Sequence, residues 1–257
     1  MEINHITFAY RDKVTRLHDI SARIRKGEIT TIIGPNGCGK STLMGVLTNN
    51  LSPQKGTIIL DGKAINTIKP KELALKLGVV HQQNTAPDDM TVEKLVTYGR
   101  LPHRKSFSPL SEKDEEMIEW AMKRTGIFDR RDMTIDSLSG GQQQRVWIAM
   151  ALAQDTPYLF LDEPTSNLDM YYQYGILDLV KELRDQNELT IVMVLHDINQ
   201  AIQYSDQIIA MKAGKVVAIG SPDEIVTKEL MHELYGVEVI VKNDEEIGKF
   251  IVPLGVR

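Results

Sequence analysis

ITTIIGPNGCGKSTLMGVL, residues 29–47, decides the fold. Ile29 to Ile33 is a short β-rich run of the kind that is buried as a strand. It stops at Gly34, and Lys40 to Leu47 follows with a helical pattern. Between them, Gly34-Pro35-Asn36-Gly37-Cys38-Gly39-Lys40-Ser41 fits G-x-x-x-x-G-K-[ST] in full, and Thr42 extends it. The strand–loop–helix setting is the one this motif requires. Its glycines let backbone N–H groups curl around phosphates. Lys40 adds a point charge at the terminal phosphates, Ser41 offers a hydroxyl to Mg²⁺, and the helix dipole adds positive potential. Cys38, inside the loop, reads either as a small space-filler or as a thiol whose pKa is lowered by the helix N-terminus and Lys40. The packing reading is preferred, and bound nucleotide is expected to protect the thiol from reagents.

Outward from this stretch, INHITFAY and Leu17 to Ile24 alternate like strands, with Lys26-Gly27-Glu28 as a turn. Thr57–Leu60 and Leu77–Val80 read as strands. The pattern turns helical from Thr91 to about Ala153. There Ser111 with Asp114 resembles a capping box, opening a helix through Arg124 whose apolar stripe is Ile118, Ala121, Met122 and Thr125. Tyr158–Leu161, Thr190–Leu195 and Gln207–Met211 return to apolar strands, with Ile176–Leu183 helical. The fold class is α/β, interrupted by a helical insertion. The expected domains are 1–81 with 154–236 as the core, 82–153 as the helical part, and 237–257 as a hairpin tail. That tail is either a regulatory or dimer-supporting element or a sheet-edge appendage.

Three further stretches carry chemistry. Tyr158-Leu159-Phe160-Leu161-Asp162-Glu163 is an apolar strand ending in two acids, which are costly there unless they meet a cation or water. Asp162 is placed to hold Mg²⁺, directly or through water. Strand alternation is expected to turn Glu163 elsewhere, to orient or deprotonate an attacking water. His196, after the strand IVMVL, reads as a polarising or sensing group, or as one that holds Glu163 in position. Leu138-Ser139-Gly140-Gly141-Gln142 opens a second helix as an anion-grade turn, about a hundred residues after the first.

The net charge of −5 argues against a nucleic-acid partner, although a local basic patch is compatible with it. One cysteine forbids an internal disulfide and a zinc site built on several thiolates. No window reaches the roughly eighteen apolar residues of a membrane span. The N-terminal stretch lacks an apolar signal core.

Together these motifs resemble the ATPase subunits of ABC transporters over residues 1–236. The elements are the loop at 34–42, Gln82 after a strand, LSGGQ at 138–142, LFLDE at 159–163, SNLD at 166–169 and His196. The resemblance implies a P-loop NTPase (RecA-like) core with an N-terminal antiparallel β subdomain and an inserted α-helical subdomain. It implies ATP with Mg²⁺, Tyr10 stacking on adenine, and Gln82 coupling the metal and attacking water to the helical part. It also implies a head-to-tail pair in which each ATP lies between one copy's phosphate loop and the other copy's Ser139, Gly140, Gly141 and Gln142. Asp169 then links the two sites. A closer likeness, in residues 96–116, 139–169 and 196–220, is to importer subunits for iron–siderophore complexes, haem and vitamin B12. The resemblance favours iron–siderophore. It implies integral-membrane permease partners, a substrate-binding protein reached through them, and a peripheral location on the cytoplasmic face of the membrane. Non-transport mechanochemical ATPases of the same type, and exporters, are the rival classes. His81 departs from this branch, which often has proline there.

Overall fold

Every residue of the strand Ile29–Ile33 is buried. It pairs in parallel with Thr190–Val194 on one side and Gln207–Lys212 on the other, and Lys215–Gly220 joins the latter as an antiparallel edge. A strand enclosed on both sides and covered on both faces needs apolar residues throughout, which is why these strands read as unbroken runs. The polar exceptions are paired. Thr30 Oγ1 donates to Gln207 Oε1 at 3.2 Å, and Ser205 Oγ donates to Thr31 Oγ1 at 2.6 Å.

These four strands belong to a unit formed by Met1–Ile68 and Thr190–Arg257; Lys69–Leu189 forms a second unit. The computed structural model describes residues 1–10, 14–105 and 108–256, leaving aside the side chain of Asn187. Ser106 and Phe107, inside the 96–116 stretch, and Arg257, closing the tail, lie outside the described residues.

The first unit also carries an antiparallel sheet in the order Thr15–Arg23, Glu2–Ala9, Lys55–Leu60, Lys63–Ala64. Ile3 and Ile6 are both buried although three positions apart. A register shift between them supplies the extra residue that returns Ile6 to the inner face. The bulge places His5 and Asp19 at φ 54° and 55°, where His5 Nδ1 and Asp19 Oδ1 are 2.8 Å apart. The tail, Val237–Asp244 with Gly248–Val256, pairs only with itself among the described strands rather than extending a sheet edge. Asn199 holds it, accepting from Ile251 N at 2.9 Å and donating to Ile251 O at 3.2 Å.

In the second unit, Leu77–Val80 and Tyr158–Leu161 pair in parallel, accompanied by the helices Val92–Thr97, Glu112–Arg124, Gly140–Ala153 and Met170–Asn187. Ser111 does form the capping box with Asp114, and Ile118, Ala121, Met122 and Thr125 are buried. The last helix begins well before the expected Ile176, because Asp169 accepts Tyr172 N at 3.2 Å and caps it early. Among the described residues no helix is long and apolar enough to cross a membrane.

Asp114 also closes a buried ion pair. Arg100 Nε donates to Asp114 Oδ1 at 2.8 Å, and Arg100 Nη1 donates to Ala153 O at 2.7 Å. Arg100 therefore ties the start of Glu112–Arg124 to the end of Gly140–Ala153 from a side chain that is 2% exposed. Burial alone would raise the Asp114 pKa, but hydrogen bonds from Ser111 and Arg100 outweigh it and hold the carboxyl at about 2. A depressed carboxyl pKa contributes stability that is present above its unfolded value, near 4, and is lost as pH falls through the folded value of about 2. Asp114→Asn should cost about 3–5 kcal/mol in urea unfolding at pH 7, because it strands a buried guanidinium. The Arg100→Met/Asp114→Leu double variant should recover much of that loss. A near-neutral Asp114→Asn would show that the pair does not hold this unit together.

Candidate functional site

The phosphate loop leaves the buried strand Ile29–Ile33 through glycines that the backbone requires. Gly34, Gly37 and Gly39 sit at φ 150°, 76° and 108°. A Cβ on Gly34 would stand 2.2 Å from Met211 O and 2.7 Å from Cys38 Sγ, so the loop has no room for a side chain there. Gly214 N donates to Cys38 O at 2.9 Å and fixes the loop's far side. A Cβ on Gly37 would meet nothing within 4 Å and would face open space. Lys40 is 5% exposed, with Nζ donating to Gly34 O at 2.8 Å and Pro35 O at 3.2 Å. Two carbonyls thus hold the ammonium inside the curl. Ser41 is exposed on the first helical turn.

Cys38 is 4% exposed, and burial pushes its thiol above the ordinary range, against the opposing influence of Lys40. The lowered-pKa reading therefore does not hold, and the packing reading does. Maleimide should label Cys38 far more slowly than a free thiol, and ATP should slow it further, as read by intact-mass spectrometry. Labelling at the rate of free cysteine would contradict the burial.

Tyr10 reaches the same loop. Its hydroxyl lies 3.3 Å from Thr42 Oγ1, and its ring stands edge-on to Phe8 at 4.9 Å. The ring is 44% exposed, leaving aromatic surface free to stack on a planar partner. His196 is exposed just beyond Thr190–Val194. That strand pairs Val194 with Ile32, so His196 and the start of the phosphate loop leave the sheet at the same end. The sequence reading also missed Tyr235, half-buried at the end of the helix Lys228–Tyr235. Burial pushes its phenol up, the Cys38 thiol adds to this, and a hydrogen bond with the Gly34 backbone opposes it.

In the second unit the acid turn follows a fully buried strand. Asp162 N donates to Val80 O at 2.9 Å, which carries the ladder one step past the strand. Glu163 then adopts φ 51°. Its carbonyl accepts from Ser166 N at 3.1 Å and Ser166 Oγ at 2.9 Å. The two acids separate because the chain turns left-handed at Glu163, not because a strand continues with alternating faces as expected. A left-handed non-glycine residue costs about 1–2 kcal/mol, and the two Ser166 bonds offset it. Gln82 Nε2 donates to Glu163 Oε2 at 2.6 Å, so the glutamine after the strand Leu77–Val80 and the acid after Tyr158–Leu161 are brought together.

The LSGGQ turn lies in this unit too. Ser139 is the exposed residue preceding Gly140–Ala153, and its amide donates to Gln142 Oε1 at 3.1 Å. Gly140 is exposed, leaving first-turn amides open to an anion. Asp169 borders the same place. Leu168, before it, comes 3.7 Å from a Cβ built on Gly140, and Tyr172, after it, comes 2.5 Å from one built on Gly141. A cleft of about 530 Å³ opens among the helices, lined by Thr91, Glu93, Thr97, Ile118, Met122 and Phe128.

A family model described as ABC transporter matches residues 17–166. The ferric enterobactin transport ATP-binding protein of Escherichia coli (strain K12) is 44% identical over 251 residues, covering 97% of this chain and 92% of its own. A metal-chelate type ABC transporter, solved in an inward-facing conformation, aligns at a TM-score of 0.85 with 26% identity, covering 98% of this chain and 96% of its own. A bacterial ABC transporter cassette solved as a dimer aligns at 0.76 with 29% identity, covering 86% and 98%.

Proposed function

The chain belongs to the ABC transporter family and is an ATP-binding cassette ATPase, and from that premise we propose that it energises uptake of an iron–siderophore complex through separate permease subunits. The 44% identity to the ferric enterobactin protein, running over 97% of the chain, carries the cargo reading. The location that goes with it is peripheral, on the cytoplasmic face of the membrane, with a substrate-binding protein delivering the chelate from the other side.

We assign phosphate binding to the first unit. Backbone N–H groups within Gly34–Thr42, other than at Pro35, and the Lys40 ammonium hold the triphosphate, and Tyr10 takes the adenine. Water activation falls to the second unit, where Gln82 holds the Glu163 carboxylate in one orientation. His196 serves as the sensing group. Mg²⁺ travels with the nucleotide; Ser41 in the first unit offers it a hard oxygen donor, and Asp162 and Gln82 in the second unit offer donors of the same kind. Bound there, it would neutralise phosphate charge. Ser139, Gly140, Gly141, Gln142 and Asp169 face the nucleotide of a second copy arranged head to tail, a reading supported by the dimeric cassette of similar fold. The cleft between the helices is the surface we assign to the permease.

The test is reconstitution with the neighbouring permease in proteoliposomes. ATPase activity should rise several-fold when a binding protein loaded with ferric siderophore is present, and the chelate should enter the lumen. Stimulation by haem or vitamin B12 and not by any ferric siderophore would sink the cargo assignment.

A further inference from the structure

Met170 and Tyr171 directly follow Asp169 and are 75% and 81% exposed. Single exposed apolar residues are ordinary, but this pair has a defined seat. Tyr172 packs so closely against the first turn of Gly140–Ala153 that a Cβ on Gly141 would stand 2.5–2.9 Å from it. The Tyr171 ring then meets the Tyr172 ring edge-on, with centroids 5.3 Å apart at 82°. On the near side, Leu168 Cδ2 would stand 3.7 Å from a Cβ on Gly140. The exposed aromatic thus borders the turn that presents Ser139, backed by a second ring that holds it in place. Helix geometry adds to this order, since Asp169 caps the helix on which both rings stand.

We propose that Tyr171, backed by Tyr172 and flanked by Met170, is an apolar anchor on which a second copy of this chain seats when ATP is bound. The inference rests on the head-to-tail dimer reading and adds to it a specific source of binding energy. The occupant follows from continuity: Ser139 on one side and Asp169 on the other are both assigned to face the second copy. The chemistry fits as well. Tyr and Met are enriched at protein interfaces, and a buried Tyr is a common hot spot because a rigid ring gains much contact at little entropic cost. A two-fold arrangement presents the anchor twice, once from each copy, so one substitution removes two contacts.

Sedimentation with a non-hydrolysable ATP analogue tests it. Tyr171→Ser should weaken nucleotide-driven dimerisation about 30-fold or more, while fluorescent-ATP binding to the monomer and far-UV circular dichroism stay as in the native chain. Tyr171→Phe, which keeps the ring, should dimerise normally, and Met170→Gln should show a smaller loss. If Tyr171→Ser dimerises with native affinity, the anchor is wrong and the dimer reading stands. If the native chain stays monomeric with the analogue, the dimer reading fails and the anchor fails with it.

Discussion

Glu163→Gln should bind ATP with near-native affinity and hydrolyse it about 10²–10⁴-fold more slowly, the range for losing a general base. The geometry makes this a clean substitution. Glu163 Oε2 accepts a 2.6 Å hydrogen bond from Gln82 Nε2. A glutamine in its place still offers a carbonyl oxygen to that donor, so the side chain keeps its orientation. It loses the negative charge and the ability to take a proton. The left-handed turn at φ 51° and its Ser166 bonds depend on the backbone and are untouched. A slow variant with unchanged affinity therefore isolates the chemical step. Single-turnover hydrolysis against fluorescent-nucleotide titration separates the two quantities. Turnover within about threefold of native would remove Glu163 from the role of base and leave it as a partner of Gln82.

Lys40→Ala should fail earlier, at productive nucleotide binding. Its ammonium is the one formal positive charge within residues 34–42, and it is held in the curl by the Gly34 and Pro35 carbonyls. Removing a charge-assisted donor of this kind costs about 10²–10³ in transition-state stabilisation, and here the ground-state triphosphate feels part of the same loss. ATP affinity should fall at least tenfold and kcat/KM further. Lys40→Arg should not rescue, because the site is 5% exposed and shaped for a point charge, whereas a guanidinium is planar and wider. An alanine variant that binds and hydrolyses ATP normally would overturn the assignment of Lys40 to the phosphates.

The parallel strands of both units were legible because buried parallel strands must be largely apolar along their length. Ile29–Ile33, Leu77–Val80 and Tyr158–Leu161 stand where the sequence reading puts them. Other features were hidden for identifiable reasons. The edge strand Lys215–Gly220 has a short apolar run, Val216–Ile219, but as an outer edge it buries only Gly220. The Met170–Asn187 helix opens with polar and aromatic residues that give no apolar stripe, and only the Asp169 cap marks its start. Arg100 sits in a polar segment, and nothing local pairs it with Asp114 across a loop.

The phosphate loop could be read from residues 29–47 alone, because its chemistry is local: a strand end, three glycines with the freedom to curl, and a lysine at fixed spacing. Fold class and ATPase family follow from such short-range patterns. The roles that need two distant segments could not be read that way. Gln82 holds Glu163 from a residue 81 positions away, and Tyr172 fills the space that Gly141 leaves open. The turn at Glu163 was expected to follow strand alternation, and only the folded backbone showed a left-handed residue instead. Spacing along a chain dictates which groups a single turn can present. Which side chains meet across turns is set by packing, and packing exists only once the chain has folded.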